Sequence, residues 1–167
     1  MYKKKIRKNV PVALNKKIGF DLKNGDWVIP YGKGIINDFF ITLQGDKTKD
    51  KNLIIEFSNK YDGIVEYPFK FSSSMYQGCQ LLLPHNAPIN GYKSKIVINK
   101  NERKNDKYTD EEMNYIFRLR TKVDEDGNII SAKYGEIHGD IKFRCRAYHW
   151  ECFIKIFYKV NKIINFN

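Results

Sequence analysis

The stretch that decides the fold is "YIFRLRTKV", residues 115–123, whose side chains alternate in character along its whole length. Tyr115, Phe117, Leu119, Thr121 and Val123 form one set, and Ile116, Arg118, Arg120 and Lys122 form the other. Successive side chains of a β-strand point to opposite faces. The pattern therefore predicts a strand with one buried face and one solvent face. The same alternation returns at 140–147 and predicts a second such strand.

Between these two strands lies "DEDGN", residues 124–128, which has the acidic composition of a calcium loop. A helix–loop–helix calcium loop needs Gly at its sixth position and Glu at its twelfth. Counted from Asp124, those positions hold Ile129 and Gly135. A bend between two strands meets no such objection, because Gly127 or Asn128 can adopt the positive φ that a tight turn requires. The sequence predicts a bend, with a looser calcium site as the alternative.

The rest of the chain has the alternation of short strands and turns that is typical of an all-β protein. Short runs rich in β-branched and aromatic residues alternate with segments rich in Gly, Pro, Asn, Asp and Ser. These runs lie at 39–44, 52–58, 63–71, 79–84, 94–100, 129–138, 141–150 and 152–160. No run of about 12 residues keeps a helical period. We therefore expect a single-domain antiparallel β-sandwich, jelly-roll or immunoglobulin-like, of about eight to ten strands.

Charge is distributed unevenly along the 167 residues, whose formal net charge is +11. The first 17 residues hold seven basic side chains and no acidic one. This predicts a basic N-terminal arm at 1–17 and a β-sandwich domain at 18–167. Only six of the 30 basic residues are arginine, and Asn and Ile are also abundant. An AT-rich coding sequence therefore explains part of the basicity, since nucleic-acid surfaces tend to favour arginine.

Motifs for cofactors and catalysis are missing from the sequence. It contains no P-loop, HExxH, GxGxxG or GxSxG motif. Cys79, Cys145 and Cys152 are an odd number without a CxxC pair, so neither a disulfide framework nor a zinc site is predicted. We expect no cofactor, no metal and no catalytic residue. A small carboxylate-dependent hydrolase stays open, because two carboxylates leave little trace in one sequence.

Neither a membrane span nor an export signal is predicted. No apolar run approaches the roughly 20 residues that cross a bilayer. The apolar run after the basic N-terminus is also shorter than that of an export signal. As written, the chain is expected to be cytoplasmic, and extracytoplasmic if a leader has been removed.

The pairing of the alternating strands predicts a surface. Pairing Val123 with Ile130 keeps Leu119 beside Tyr134, whereas pairing Val123 with Ile129 would place Leu119 beside Lys133 on the buried face. A two-residue turn at Gly139 and Asp140 would then pair Tyr134 with Cys145. Together these registers align two rows across three strands, Arg120–Lys133–Arg146 and Arg118–Gly135–Arg144.

Like charges opposite one another are destabilising, so the aligned cations predict an anion-binding surface around Gly135. The alternative is a solvated face that is neutralised by carboxylates of nearby loops. Tyr67, Tyr92 and Trp150 are candidates for stacking on sugars or bases, with packing in the core as the alternative.

These features favour a non-enzymatic binding module that recognises a glycan, an anionic surface or polymer, or a protein partner. One alternative is a nucleic-acid-binding protein that uses the basic arm and the arginine face. The other is the small hydrolase.

Three segments, "FRLRTKVDEDGNIISAKYGEIHGDIKF" (117–143), "FSNKYDGIVEYP" (57–68) and "LPHNAPINGY" (83–92), carry a resemblance. The chain resembles a family of uncharacterised, β-rich, envelope-associated proteins of gut bacteria. The resemblance implies a β-rich fold and an envelope location, and no activity or catalytic residue. The chain departs from the family's pattern in having no export signal, and its end at 149–167 is unlike the family.

Overall fold

The computed structural model describes residues 2–10, 15–45, 52–68, 87–99, 112–145 and 152–165. Within these ranges every regular element is a β-strand, and all pairs of strands are antiparallel. The strands are β1 (Tyr2–Val10), β2 (Lys17–Asp21), β3 (Asp26–Trp27), β4 (Phe39–Gln44), β5 (Asn52–Phe57), β6 (Gly63–Glu66), β7 (Lys95–Asn99), β8 (Tyr115–Val123), β9 (Ile129–Ile137), β10 (Lys142–Cys145) and β11 (Cys152–Asn165).

Most predicted strands are present. Those predicted at 39–44 and 115–123 have the same bounds as β4 and β8, because their period-2 alternation ends at turn residues. The strand predicted at 63–71 is shorter and ends at Glu66. The strand predicted at 79–84 lies outside the described residues, as do residues 146–150 of the strand predicted at 141–150.

The strands form two sheets that pack face to face as a β-sandwich. One sheet has the order β3-β2-β4-β5-β7, and the other has the order β1-β11-β9-β8-β6, with β10 also paired to β11. A single hydrophobic cluster joins their inner faces, with Phe20, Ile41 and Leu53 from the first sheet and Phe117 and Leu119 from the second. The predicted all-β antiparallel sandwich is confirmed.

The bend between β8 and β9 is confirmed at Asp124–Asn128. The Asp124 N–H donates to the Asn128 carbonyl at 2.9 Å. In return the Asn128 N–H and its side-chain amide donate to the Asp124 carboxylate, at 2.7 Å and 3.0 Å. Gly127 supplies the positive φ of 87°. The Asp124 carboxylate is thus an internal acceptor that closes the turn.

The register of β8 on β9 corrects the one that the sequence favours. Leu119 lies opposite Lys133 and Val123 lies opposite Ile129, which are pairs of the rejected register. Among the residue pairs between β8 and β9, Lys122 opposite Ser131 agrees with the register that the sequence favours. Between Leu119 and Lys122, two residues of β8 stand against one of β9, which is a β-bulge. The favoured register is wrong because the bulge interrupts the ladder that it assumed to be continuous.

The predicted hairpin across Gly139 and Asp140 is also wrong. Strand β10 pairs with β11, and Cys145 lies opposite Cys152. Strand β11 pairs with β9 as well, and Tyr134 lies opposite Arg118. The 14 residues of β11 are long enough to pair first with β10 and then with β9 along one edge. Strands β9 and β10 therefore follow each other along β11 and do not pair.

Most of the predicted basic N-terminal arm forms a strand. Strand β1 pairs with β11 from Tyr2, opposite Val160, to Val10, opposite Cys152. The division of the chain into an arm at 1–17 and a sandwich domain at 18–167 stays a prediction.

Candidate functional site

The bulge in β8 turns Arg120 toward the opposite sheet. Arg120 has a φ of 53°, in the left-handed region that residues with a side chain seldom adopt. Its Nε donates to Asp38 Oδ1 at 2.7 Å, and its Nη2 donates to Asp38 Oδ2 at 2.9 Å. The same Nη2 lies 3.6 Å from Asp21 Oδ1. With Asp62, these residues form a group that we name the Asp–Arg cluster: Asp21, Asp38, Asp62 and Arg120.

Asp62, in a neighbouring segment of the chain, stabilises the bulge through its carboxylate. Its two carboxylate oxygens accept the N–H groups of Arg120 and Thr121, at 2.7 Å and 2.9 Å. Two consecutive N–H groups that point at one carboxylate cannot both continue a regular ladder with β9. Asp62 is therefore the residue that fixes the unusual backbone of Arg120.

Asp21 and Asp38 hold the loops of the other sheet. Asp38 Oδ2 accepts the N–H of Leu22 at 2.9 Å. Asp21 accepts the N–H groups of Asn24, Ile35 and Ile36, each at 3.0 Å. All carboxylates of the Asp–Arg cluster are buried and all accept hydrogen bonds, so the cluster fastens the two sheets together.

The surroundings of Asp21 and Arg120 favour the charged form of both side chains. Burial by itself would raise the pKa of Asp21, but the N–H groups of Ile36, Asn24 and Ile35 and the charge of Arg120 together lower it below 3.8. Hydrogen bonding to Asp38 raises the pKa of Arg120 further, against the effect of burial. Asp21 is held as an ionised acceptor, which is the opposite of what a catalytic acid with a raised pKa requires.

Protonation of Asp21 at acid pH should lower the free energy of unfolding. A carboxylate whose pKa is lowered on folding stabilises the protein above its unfolded pKa, and this stabilisation is lost as the pH falls through the folded pKa. The unfolded value is 3.8, so the loss belongs to the acid range below it. In urea titrations between about pH 5 and pH 2, the free energy of unfolding of an Asp21→Asn variant should depend less on pH than that of the wild type. Equal slopes for the two proteins would contradict this role.

Two lysines lie beside the cluster, and within the described residues neither has a carboxylate partner of its own. Lys133 comes from β9 and Lys23 from the turn between β2 and β3, so they belong to different sheets. Burial, Arg120 and Lys23 lower the pKa of Lys133, and Asp38 opposes them. Among the ion pairs of the described residues, none includes Lys23 or Lys133. We name Lys23 and Lys133, with the adjacent guanidinium of Arg120, the cationic rim.

The face of the sheet that carries Arg118 is covered. The Arg118 Nε donates to the Tyr61 carbonyl at 2.9 Å, and Nη1 donates to the Ile89 carbonyl at 3.3 Å. Its guanidinium lies 4.5 Å from the centroid of the Tyr92 ring. The expectation that Arg118 stands on an open outer face is wrong, because the segment at 87–93 lies over it.

Gly135 is not an opening in that face either. It is buried and lies opposite Phe117, a residue of the hydrophobic core. Since residues directly opposite each other share a face, Gly135 belongs to the core side of the sheet. The same rule places Lys133, opposite Leu119, on the core side of the sheet, and not in an outer row.

The remaining predicted site residues are not brought together. Arg144 lies in β10 opposite Phe153, away from Gly135 in the strand pairing. Arg146 and Trp150 lie outside the described residues. Burial raises the pKa of Tyr92, whose hydroxyl is buried without a hydrogen-bond partner in the described structure, so its ring is packed and not presented. Tyr67 is half-buried, and its N–H donates to the Asn114 carbonyl at 2.7 Å.

Sequence reasoning misses the three aspartates and Lys23. Each aspartate lies beside a turn or a strand end, where Asp is common because it accepts hydrogen bonds from nearby backbone. This preference of Asp for turns can be seen in the sequence, but it does not show that three distant turns meet at one arginine. The predicted row placed Arg120 opposite Lys133, whereas in the structure Leu119 lies opposite Lys133.

Comparison with protein-family models, with curated proteins and with solved structures finds no match to this chain. The resemblance to envelope-associated proteins of gut bacteria therefore stays an expectation. In the part of the chain that the structure describes, no helix is long and apolar enough to cross a bilayer. Nor do the described His, Cys, Asp and Glu residues form a group of three or more that could hold a metal ion.

Proposed function

We propose that the protein is a non-enzymatic binding module that recognises an anionic partner through the cationic rim. The supporting observation is the environment of Lys133. Burial and the repulsion by Arg120 and Lys23 lower its pKa, and among the ion pairs of the described residues Lys133 and Lys23 have no carboxylate partner. A phosphate, sulfate or carboxylate group beside Lys133 and Lys23 would offset that repulsion.

The neighbouring carboxylates leave the rim available to a partner. Asp38 is engaged by both nitrogens of the Arg120 fork and by the Leu22 N–H. Asp21 is engaged by backbone N–H groups. The three carboxylates of the cluster match the formal charge of Arg120, Lys23 and Lys133, but their hydrogen bonds go to Arg120 and to backbone N–H groups. In the described structure the two lysine ammonium groups therefore keep their hydrogen-bond donors for a partner. Arg120 then serves to position the rim and does not need to contact the partner.

The test is the loss of binding in a Lys23→Gln/Lys133→Gln double variant. A charge-assisted hydrogen bond contributes about 1.5–3 kcal/mol, so the variant should bind anionic probes at least about tenfold more weakly. The matched control is Lys93→Gln/Lys95→Gln, which removes the same charge from exposed positions by β7, at the opposite edge of its sheet from β3. Equal losses in the two double variants would overturn the proposal, because net charge alone would then explain binding.

The choice of probes separates the possible sources of the anion. Immobilised heparin, duplex DNA and a neutral glucan should be compared over a salt titration. Binding to DNA with a slope of roughly −0.9 per phosphate contacted would favour the nucleic-acid alternative. Salt-insensitive binding to the neutral glucan alone would contradict an anionic partner.

A further inference from the structure

The loop between β3 and β4 exposes a cluster of isoleucines. Ile29, Ile35 and Ile36 are 71%, 78% and 46% exposed. Isoleucine is among the most frequently buried residues, and single exposed apolar side chains need no explanation. Three of them on one short loop form a patch, which we name the isoleucine patch.

The backbone of this loop is held by hydrogen bonds and close packing. Val28 and Gly34 form a parallel bridge, which brings the segments that carry Ile29 and Ile35 side by side. The Gly34 N–H donates to the Trp27 carbonyl at 2.8 Å. A Cβ on Gly34 would lie 2.9 Å from the carbonyl oxygens of Asp26 and Trp27, so the loop is closely packed against β3. The patch is thus built into the fold before any partner binds.

Exposed lysines accompany the isoleucine patch, while the carboxylates of Asp26 and Asp21 are engaged by backbone N–H groups. Asp26 accepts the N–H groups of Trp27 and Lys33, at 2.9 Å and 3.3 Å. Asp21 accepts the N–H groups of Ile35 and Ile36, which ties the patch directly to the Asp–Arg cluster.

Three exposed lysines lie in or near the loop. Lys33 belongs to the loop itself, and the Lys16 ammonium lies 4.6 Å from the centroid of the ring of Tyr31, which is also in the loop. Lys23 of the cationic rim follows Asp21 by two residues, and Asp21 holds the loop at Ile35 and Ile36. An apolar loop with exposed ammonium groups on and beside it is complementary to apolar lipid chains beneath anionic headgroups.

We infer that the isoleucine patch inserts into the surface of a lipid bilayer that carries anionic headgroups, with Lys16, Lys23 and Lys33 on the headgroup phosphates. The inference rests on the proposed function, since Lys23 belongs to both surfaces. A bilayer fits better than a protein partner, because a stable protein interface buries about 800 Å² on each side and three isoleucines supply only part of that area.

The test is co-sedimentation of the full chain with vesicles of phosphatidylcholine alone and with 30% phosphatidylglycerol, a composition of about the charge of a natural anionic surface. We expect binding to the charged vesicles, and a loss of at least about tenfold for Ile29→Ser/Ile35→Ser/Ile36→Ser, since membrane affinity scales with buried apolar area. The matched control, Ile89→Ser/Val97→Ser/Ile130→Ser, changes three exposed apolar residues elsewhere and should keep the wild-type affinity. Equal affinities for the two triple variants would overturn the inference.

Heparin binding separates this inference from the proposed function. The patch variant should keep its heparin affinity, because the rim lysines are unchanged. A wild type that binds heparin but not the charged vesicles would overturn the membrane inference and leave the proposed function standing. A wild type that binds neither overturns both. A wild-type dimer that the patch variant converts to monomer, without loss of vesicle binding, would assign the patch to self-association and overturn the inference.

Insertion can be observed directly with Ile35→Trp. Its fluorescence should be quenched by brominated lipid chains in the charged vesicles, whereas that of Ile130→Trp should not be quenched beyond the wild type. Equal quenching of the two variants would overturn the assignment of the patch as the inserting surface.

Discussion

Replacing Arg120 by methionine is expected to lower the free energy of unfolding by about 3–5 kcal/mol, the usual cost of removing one partner of a buried ion pair. Asp38 and Asp21 are 3% and 1% exposed, so both carboxylates would stay buried without the guanidinium. Methionine replaces the aliphatic part of the arginine side chain and meets the same backbone constraint at φ 53°, so the loss reports chiefly the charge and the two hydrogen bonds to Asp38.

The measurement is equilibrium urea denaturation followed by the fluorescence of the buried Trp27. Lys122→Met is the control, because it removes a neighbouring exposed cation and should change stability by no more than about 0.5 kcal/mol. Arg120→Lys keeps the charge but loses the planar fork, so its stability should fall between those of the wild type and Arg120→Met. Adding Asp38→Asn to Arg120→Met should cost less than the sum of the single changes. A loss below about 1 kcal/mol in Arg120→Met would show that the Asp–Arg cluster does not hold the sheets together.

Replacing Asp62 by alanine should destabilise the protein by about 2–6 kcal/mol, since each buried donor left without a partner costs about 1–3 kcal/mol. Two such donors would remain, the N–H groups of Arg120 and Thr121. Without the carboxylate, the bulge loses the contact that forms it, and Arg120 loses the backbone that aims it at Asp38. The effect should therefore reach the cationic rim, with weaker binding of heparin as well as lower stability.

Amide hydrogen exchange gives the local readout for this change. The N–H groups of Arg120 and Thr121 should exchange faster in Asp62→Ala, more than those of the core residues of β4. Asp62→Asn retains one acceptor oxygen and should have an intermediate stability. Asp126→Ala in the exposed bend is the control and should be neutral within about 0.5 kcal/mol. Unchanged exchange at Arg120 and Thr121 would mean that the bulge forms without Asp62.

The sequence by itself determined the strands and the bend. Alternation at 115–123 and turn residues at 124–128 are local signals, since they depend on the period of the strand and on a few backbone angles. The same signals along the chain identified an all-β sandwich, because each strand offers one apolar face that must be buried against another sheet. Strand order is not local, and the hairpin expected across Gly139 is replaced by pairing with β11.

The tertiary structure alone decided the register and therefore the site. The alternation places Arg118 and Arg120 on one open face, but the bulge sends Arg120 toward Asp38 of the other sheet, and the segment at 87–93 covers Arg118. The bulge depends on Asp62, which lies 58 residues before Arg120 in the chain. A period-2 pattern records which side chains share a face in an unbroken strand, and it cannot record a distant carboxylate that breaks the strand. Because of that carboxylate, Arg120 belongs to the Asp–Arg cluster and not to an open row of cations. Lys23 and Lys133 are the cations beside the cluster.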